Sequence, residues 1–335
     1  MFEIRRSGHP DVVSPQVVGS HVVAHLLTWA SEYLGHKQVN KAVIAVPAKF
    51  DARQRAATVE AFRLAGLQVI RMLEEPTAAA LAFGLHRKPD VNHILVYDLG
   101  GGTLDVSLLF VNDGSVDVIG SDGDDNLGGS DFDQCVAHVL ADKLQGSLVG
   151  LEDATDALSC HFDRPTCALH NLYPLSEGLR RQLTDSQTSE VVCFALPKAK
   201  SVTPQRGGVG SRAMKSTATE SRLASASSLE PGSQGADGRE GGSCGSWELF
   251  SLEVTRKEYE EQCKPLFDRG LAPVSRLLDR LDVTVEEIDE VVVVGGMTRT
   301  PRVREMLKVH LGVSRLNVEI DPDVVVAYGA ATMAH

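Results

Sequence analysis

Between Ser14 and Gly35, apolar residues return every three or four positions. Val18, Val22, Leu26 and Trp29 fall near one face, so the spacing predicts a helix opened by Ser14-Pro15 and ended by Gly35. Short branched runs and helical spacing then alternate. Ala42–Val46 reads as a buried strand closed by Pro47, Ala52–Ala65 as an amphipathic helix stopped by Gly66, and Leu67–Met72 as a further strand. Pro76-Thr77 opens a helix, Ala78–Phe83, whose small residues permit close packing. This alternation predicts an α/β architecture.

His93–Tyr97 and Val106–Phe110 are apolar runs on either side of Gly100-Gly101-Gly102, a pattern that predicts a hairpin. Val116–Ile119 predicts a third strand, and the turn over 123–131 feeds a helix, Phe132–Leu144. Residues 146–175 carry little pattern, and Pro165 and Pro174 stand against any long helix there. Ser176–Leu183 reads as helix and Val191–Leu196 as strand. Residues 198–245 are dominated by Ser, Gly and Ala with no apolar period, which predicts a disordered linker that buries too little surface to offset its ordering entropy. Order returns at Trp247–Val254, then a helix at Arg256–Phe267, a strand at Glu290–Val294, a turn at Gly295–Thr298, a helix at Arg302–Leu311 and an alanine-rich helix at Pro322–Met333.

The 335 residues are 43% apolar and 23% charged, enough for two or more core-bearing lobes. A formal charge of −12, with no basic stripe, argues against a nucleic-acid surface. No apolar run is long enough to span a bilayer, and the first residues lack a signal-type segment, so the chain as written is expected in the cytoplasm if complete. Six cysteines (135, 160, 167, 193, 244, 263) form no Cys-x-x-Cys pair. Cys160, His161, Cys167 and His170 match no common zinc spacing, and scattered reduced thiols are the expectation.

The candidate chemistry sits at the glycine hairpin. Three adjacent glycines let backbone N–H groups converge on one anion. Asp98 enters the turn, Asp105 leaves it, and Thr103 adds a hydroxyl. This set suits a polyphosphate carrying Mg2+, which takes one or two carboxylates and keeps its waters. Gly295-Gly296 ends a second Val-rich strand, and in open α/β sheets ligands lie beyond strand carboxyl ends. Two such turns facing one cleft would hold opposite ends of one nucleotide. Alternatives stay open residue by residue: Asp105 as a hairpin cap, Glu75 as an N-cap, Arg180 and Arg181 as a solvated helix face. No Walker A pattern is present.

Five motifs occur in one order: Glu75-Pro76-Thr77-Ala78-Ala79-Ala80; Asp98–Ser107; Leu127-Gly128-Gly129-x-Asp131-Phe132-Asp133; Val294-Gly295-Gly296-x-Thr298-Arg299-x-Pro301; and Asp321-Pro322-Asp323 followed by Ala327-Tyr328-Gly329-Ala330-Ala331. Together they resemble the ATPase domain of the seventy-kilodalton heat-shock chaperones, a stress-response family. The resemblance implies an actin-like, ribonuclease H-like α/β fold with two lobes around a nucleotide cleft. The first lobe would be incomplete, with residues 1–87 its remnant. Residues 88–127 and 264–335 would form the base of the second lobe, and 128–263 its top, carrying the 198–245 insertion.

By the same resemblance ATP or ADP with Mg2+ would bind. Gly100, Gly101, Gly102 and Thr103 would hold the β- and γ-phosphates, and Asp98 and Glu75 would order Mg2+ through water. Gly128 and Gly129 would approach ribose and phosphates. Glu177, Arg180, Arg181 and Thr184 would wall the adenosine pocket, with Gly295, Gly296, Arg299 and Asp323 completing it and Arg299 stacking on the base. Pro47 and Arg55 match an interdomain switch in the family and read here as structural.

The family's domain opens with a further glycine hairpin and a lysine that contacts the γ-phosphate, and the chain is expected to lack both. Slow Mg2+-dependent ATP hydrolysis is therefore set against a non-hydrolysing nucleotide-binding or interaction module. A sugar or acetate kinase of the same superfold is disfavoured by the glycine patterns. The expected partners are nucleotide, co-chaperones or nucleotide-exchange factors, without nucleic acid or membrane insertion, and the expected state is a monomer. The resemblance places relatives of this kind in the endoplasmic reticulum or microsomes.

Overall fold

Helices and strands alternate through the first hundred residues of the computed structural model, which describes residues 2–6, 9–35, 39–145, 167, 169–195 and 248–334. An antiparallel ribbon of β1 (Phe2–Arg6) and β2 (His9–Val13) leads into α1 (Pro15–Leu34). The predicted signals delimit α1: the Ser14 side chain accepts from Val17 N, and Gly35 takes φ +70°, a conformation glycine adopts without steric cost. β3 (Lys41–Val46) and β4 (Gln68–Glu74) pair in parallel across α2 (Ala52–Leu64), which Asp51 and Gln54 open with a capping box. α3 (Glu75–Ala82) follows β4 directly.

β5 (His93–Leu99), β6 (Leu104–Asn112) and β7 (Ser115–Asp124) form an antiparallel meander, followed by α4 (Gly129–Gln145), α5 (Leu169–Asp185) and the hairpin of β8 (Thr188–Ala195) and β9 (Glu248–Thr255). Next come α6 (Arg256–Gln262), α7 (Lys264–Leu281), β10 (Glu290–Val294), α8 (Pro301–Leu311) and α9 (Val325–Thr332). β10 joins β5 in parallel, so the central sheet runs β10-β5-β6-β7.

Both faces of this sheet are covered, which explains its continuous hydrophobic runs. Leu95, Tyr97 and Leu99 of β5 point into one core with Leu108, Phe132, Val274 and Leu277. The alternate residues Ile94 and Val96 point into the other, with Ala79, Ala80, Val292 and Val325 from α3, β10 and α9. α3 and α9 cross so closely that a methyl group on Gly329 would lie 1.7 Å from the Ala78 carbonyl oxygen. The small residues of both helices permit that approach.

Several expectations change. α5 begins at Leu169 and runs through Pro174, whose ring was expected to stop it. Burial of Leu172, Leu179 and Leu183 on one face outweighs the lost backbone hydrogen bond. The single helix expected at Arg256–Phe267 is two, parted at Cys263, and the second continues to Leu281 with Phe267, Val274, Leu277 and Leu278 buried. The four described thiols are not reduced. Cys135 bonds Cys263 across 128 residues and Cys167 bonds Cys193 across 26, so every described cysteine is paired. Linear spacing carries no trace of a pair that helix packing brings together. Cys160, His161, Cys244 and the linker over 198–245 lie outside the described residues. No described helix is long and apolar enough to cross a membrane.

Candidate functional site

The hairpin register puts Asp98 opposite Asp105, so both carboxylates leave the same face at the mouth of the glycine turn. Gly100 N donates to Thr103 O at 3.0 Å and closes the turn. The next glycine pair braces it: Gly129 N donates to Gly100 O at 3.0 Å and Ser130 N to Gly101 O at 2.8 Å. A Cβ on Gly128 would stand 2.3 Å from Gly102 N, so Gly128 is glycine for backbone-on-backbone contact. A Cβ on Gly101 or Gly102 would meet nothing within 4 Å. Their open faces, like the exposed Thr103, leave room for a ligand.

Gly100, Gly101, Gly129, Glu177, Arg180, Arg181, Thr184, Gly296, Arg299 and Asp323 line one cleft of about 1120 Å³. Two strand-ending turns almost 200 residues apart in the chain thus face a common space. Gly295 takes φ +83° and packs against Leu99 and Asp98, where any Cβ would sit 2.3 Å from the Leu99 carbonyl oxygen. The structure separates the two neighbouring arginines. Arg180 is buried, with Nε donating to Asp133 Oδ1 at 2.6 Å and Nη1 to Met297 Sδ at 2.8 Å. Arg181 is exposed and pairs with Glu177 one turn away. Arg299 is bound by Asp321 and by Asp323, the latter at 3.0 Å.

A narrow recess holds the acids: Lys49, Glu75, Asp98 and Asp105 line it beside Pro47 and Val294. Glu75 caps nothing; the N-cap of α3 is Glu74, and neither is used as a side-chain cap. Burial, with the charge of Asp105, raises the Glu75 pKa. Burial also raises that of Asp98 to about 7, aided by the charges of Glu75 and Asp105. Asp105 accepts from Lys49 Nζ at 2.9 Å, so it serves an ion pair and caps no turn. Among the described residues no three His, Cys, Asp or Glu side chains could hold a metal by themselves. Under-neutralised acids beside the glycine turn fit Mg2+, whose remaining ligands would be phosphate oxygens and water.

The family described as Hsp70 protein matches residues 1–160 and 245–335. The chain belongs to the Hsp70 family. Its fold is the actin-like ATPase fold of Hsp70 proteins. Heat shock 70 kDa protein 13 of Mus musculus is 37% identical over 326 residues, and the Homo sapiens protein of the same name is 36% identical over 327. Each alignment covers 96% of this chain, which spans 64% of the length of those relatives.

This Hsp70 cleft also contains residues that pattern reading missed: Asp185, Met297, Pro301, Arg304, Glu305 and Lys308. The signal for two of them is the spacing of Arg304 and Lys308, one turn apart on a helix that starts just after a strand-ending glycine pair. Lys49 carries the same kind of signal, since it follows Pro47 just beyond the end of β3. Arg55, expected to be structural, donates to Phe50 O at 2.9 Å, to Ala48 O at 3.2 Å and to Glu74 at 2.8 Å.

Proposed function

We propose that this chain is an ATP-binding core of the Hsp70 type, taking Mg2+ with ATP or ADP. The observation that carries this is the opening of Gly100, Gly101 and Gly296 on one cleft, with Asp98, at the end of the strand that enters the turn, and Glu75 lining a recess of their own. The glycine turn receives the β- and γ-phosphates on backbone N–H groups, with Thr103 beside them. Gly128 and Gly129 hold that turn in shape. Glu177, Arg180, Arg181 and Thr184 wall the adenosine end from α5, opposite Gly295, Gly296, Arg299 and Asp323. A guanidinium fixed by two carboxylates keeps its plane in one orientation, which suits Arg299 to stacking on a purine.

Mg2+ would supply charge neutralisation at the phosphates and order water there. Asp98 and Glu75 orient those waters as hydrogen-bond acceptors, and bringing in a cation draws the Asp98 pKa down, so it stays ionised with nucleotide bound. Slow hydrolysis is the activity such positioning supports. Residues 1–87 would belong to the first lobe, 88–127 and 264–335 to the base of the second, and 128–263 to its top. Two disulfides favour an oxidising compartment, in keeping with the endoplasmic reticulum, where co-chaperones or exchange factors would be the partners of a monomer.

Titration calorimetry of the full chain with Mg2+-ATP and Mg2+-ADP tests the reading. Heat is expected with both, and about tenfold weaker affinity in Asp98→Ala and Gly101→Val. No heat from folded protein would overturn the reading. Unchanged affinity in both variants would reduce the glycine turn to a structural element.

A further inference from the structure

The acid recess contains one cation whose place the nucleotide reading leaves unexplained. Lys49 sits in a tight turn between β3 and α2, closed by Phe50 N donating to Pro47 O at 3.0 Å. Arg55 grips this turn on both sides of the lysine, through the carbonyls of Ala48 and Phe50. The same guanidinium bonds Glu74, next to Glu75, so the lysine turn and the start of α3 form one braced unit. Lys49 then reaches over Gly123, where a Cβ would fall 2.4 Å from its Nζ, to meet Asp105. Glycine at 123 leaves room for that reach.

Stability does not account for the arrangement. The side chains of Lys49 and Asp105 remain 36% and 33% exposed, and pairs this wet contribute about 0–1 kcal/mol. Three carboxylates and one ammonium leave the recess net negative, and among the described residues Lys49 is the cation hydrogen-bonded to it. A flexible four-carbon stem carrying a compact charge can change partners without moving the backbone.

We infer that Lys49 contacts the terminal phosphate of a bound nucleoside triphosphate, exchanging Asp105 for a phosphate oxygen, and so makes the cleft prefer a triphosphate to a diphosphate. This rests on the nucleotide reading above. A lysine that only neutralised the acids would affect both nucleotides alike. A lysine that reads the last phosphate affects one.

The test is the affinity of the full chain for Mg2+-ATP and Mg2+-ADP by calorimetry, in the parent and in Lys49→Met. ATP binding is expected to weaken about tenfold, the value of one charge-assisted hydrogen bond, with ADP within about twofold. Equal losses, or none, would overturn the inference. Asp105→Asn gives an independent reading should Lys49→Met melt below the assay temperature. It frees Lys49 without removing it, and the ratio of ATP to ADP affinity is expected to rise; an unchanged or lower ratio counts against the proposal. A parent chain that binds neither nucleotide would instead overturn the nucleotide reading itself.

Discussion

Two parallel strand pairs meet the solvent very differently. In the β10-β5 pair, Val291, Val292, Val293 and Val294 lie opposite Leu95, Val96, Tyr97 and Asp98, and all four valines are at most 4% exposed. In the β3-β4 pair only Ile44 and Val46 are buried, Ile70 is 46% exposed, and α1 beside them shows Val22, Leu26 and Trp29 at 60%, 51% and 56%. Both regions were written with the same alphabet of branched strands and amphipathic helices. What separates them is cover: the central sheet has a helical layer on each face, whereas the apolar stripe of α1 faces outward. An amphipathic pattern therefore specifies a helix and a face, but which faces find a partner depends on the rest of the fold.

The largest expected effect follows from this contrast. Leu108→Ala, in the centre of β6 and fully buried, is expected to cost about 3 kcal/mol in urea unfolding. A cost under about 1 kcal/mol would mean that the central sheet is less tightly packed than its burial implies.

A smaller effect marks a place where the central sheet is under electrostatic load. With its pKa raised to about 7, Asp98 binds a proton more tightly in the folded chain than in the unfolded one. Between about pH 4 and 7 the native state holds the extra proton, so its contribution to stability falls as pH rises. Without nucleotide and Mg2+, Asp98→Asn is expected to gain on the order of 2 kcal/mol at pH 8 and to flatten that slope. A parent slope that persists in the variant would assign the titration elsewhere. The smallest effect lies on the other side of the comparison: Leu26→Ala, on the exposed stripe of α1, is expected to change stability by less than about 0.5 kcal/mol. A loss above 2 kcal/mol would show that this stripe is covered in solution.

Much of this was legible in the order of residues. The hairpin about Gly100–Gly102, the caps of α1 and the strand Glu290–Val294 all rest on local chemistry, and local chemistry is written locally. The site residues Glu177, Arg180, Arg299 and Asp323 came from motif resemblance, and the structure brings them to one cleft. What escaped was non-local. α7 hides its regular apolar spacing behind Gly270 and Pro273, residues that read as breakers but are buried against neighbours; Gly270 O accepts from Tyr97 Oη. The Cys135–Cys263 bond depends on how α4 meets the junction of α6 and α7. Arg180 and Arg181 are adjacent letters with opposite fates because a helix turns 100° between them.

The crossing of α3 and α9 sets a distance. At Gly329 and Ala78 the two helices touch backbone to backbone with no side chain between them. A side chain on Gly329 would force the helices apart, and with them Ala79, Ala80 and Val325, which pack in one core around the crossing. α3 begins at Glu75, and the loop before α9 carries Pro322, whose carbonyl holds Gly295 N at 3.0 Å. The acid recess and the far wall of the cleft are thus tied to one another through a single backbone contact, and its spacing sets the distance between them.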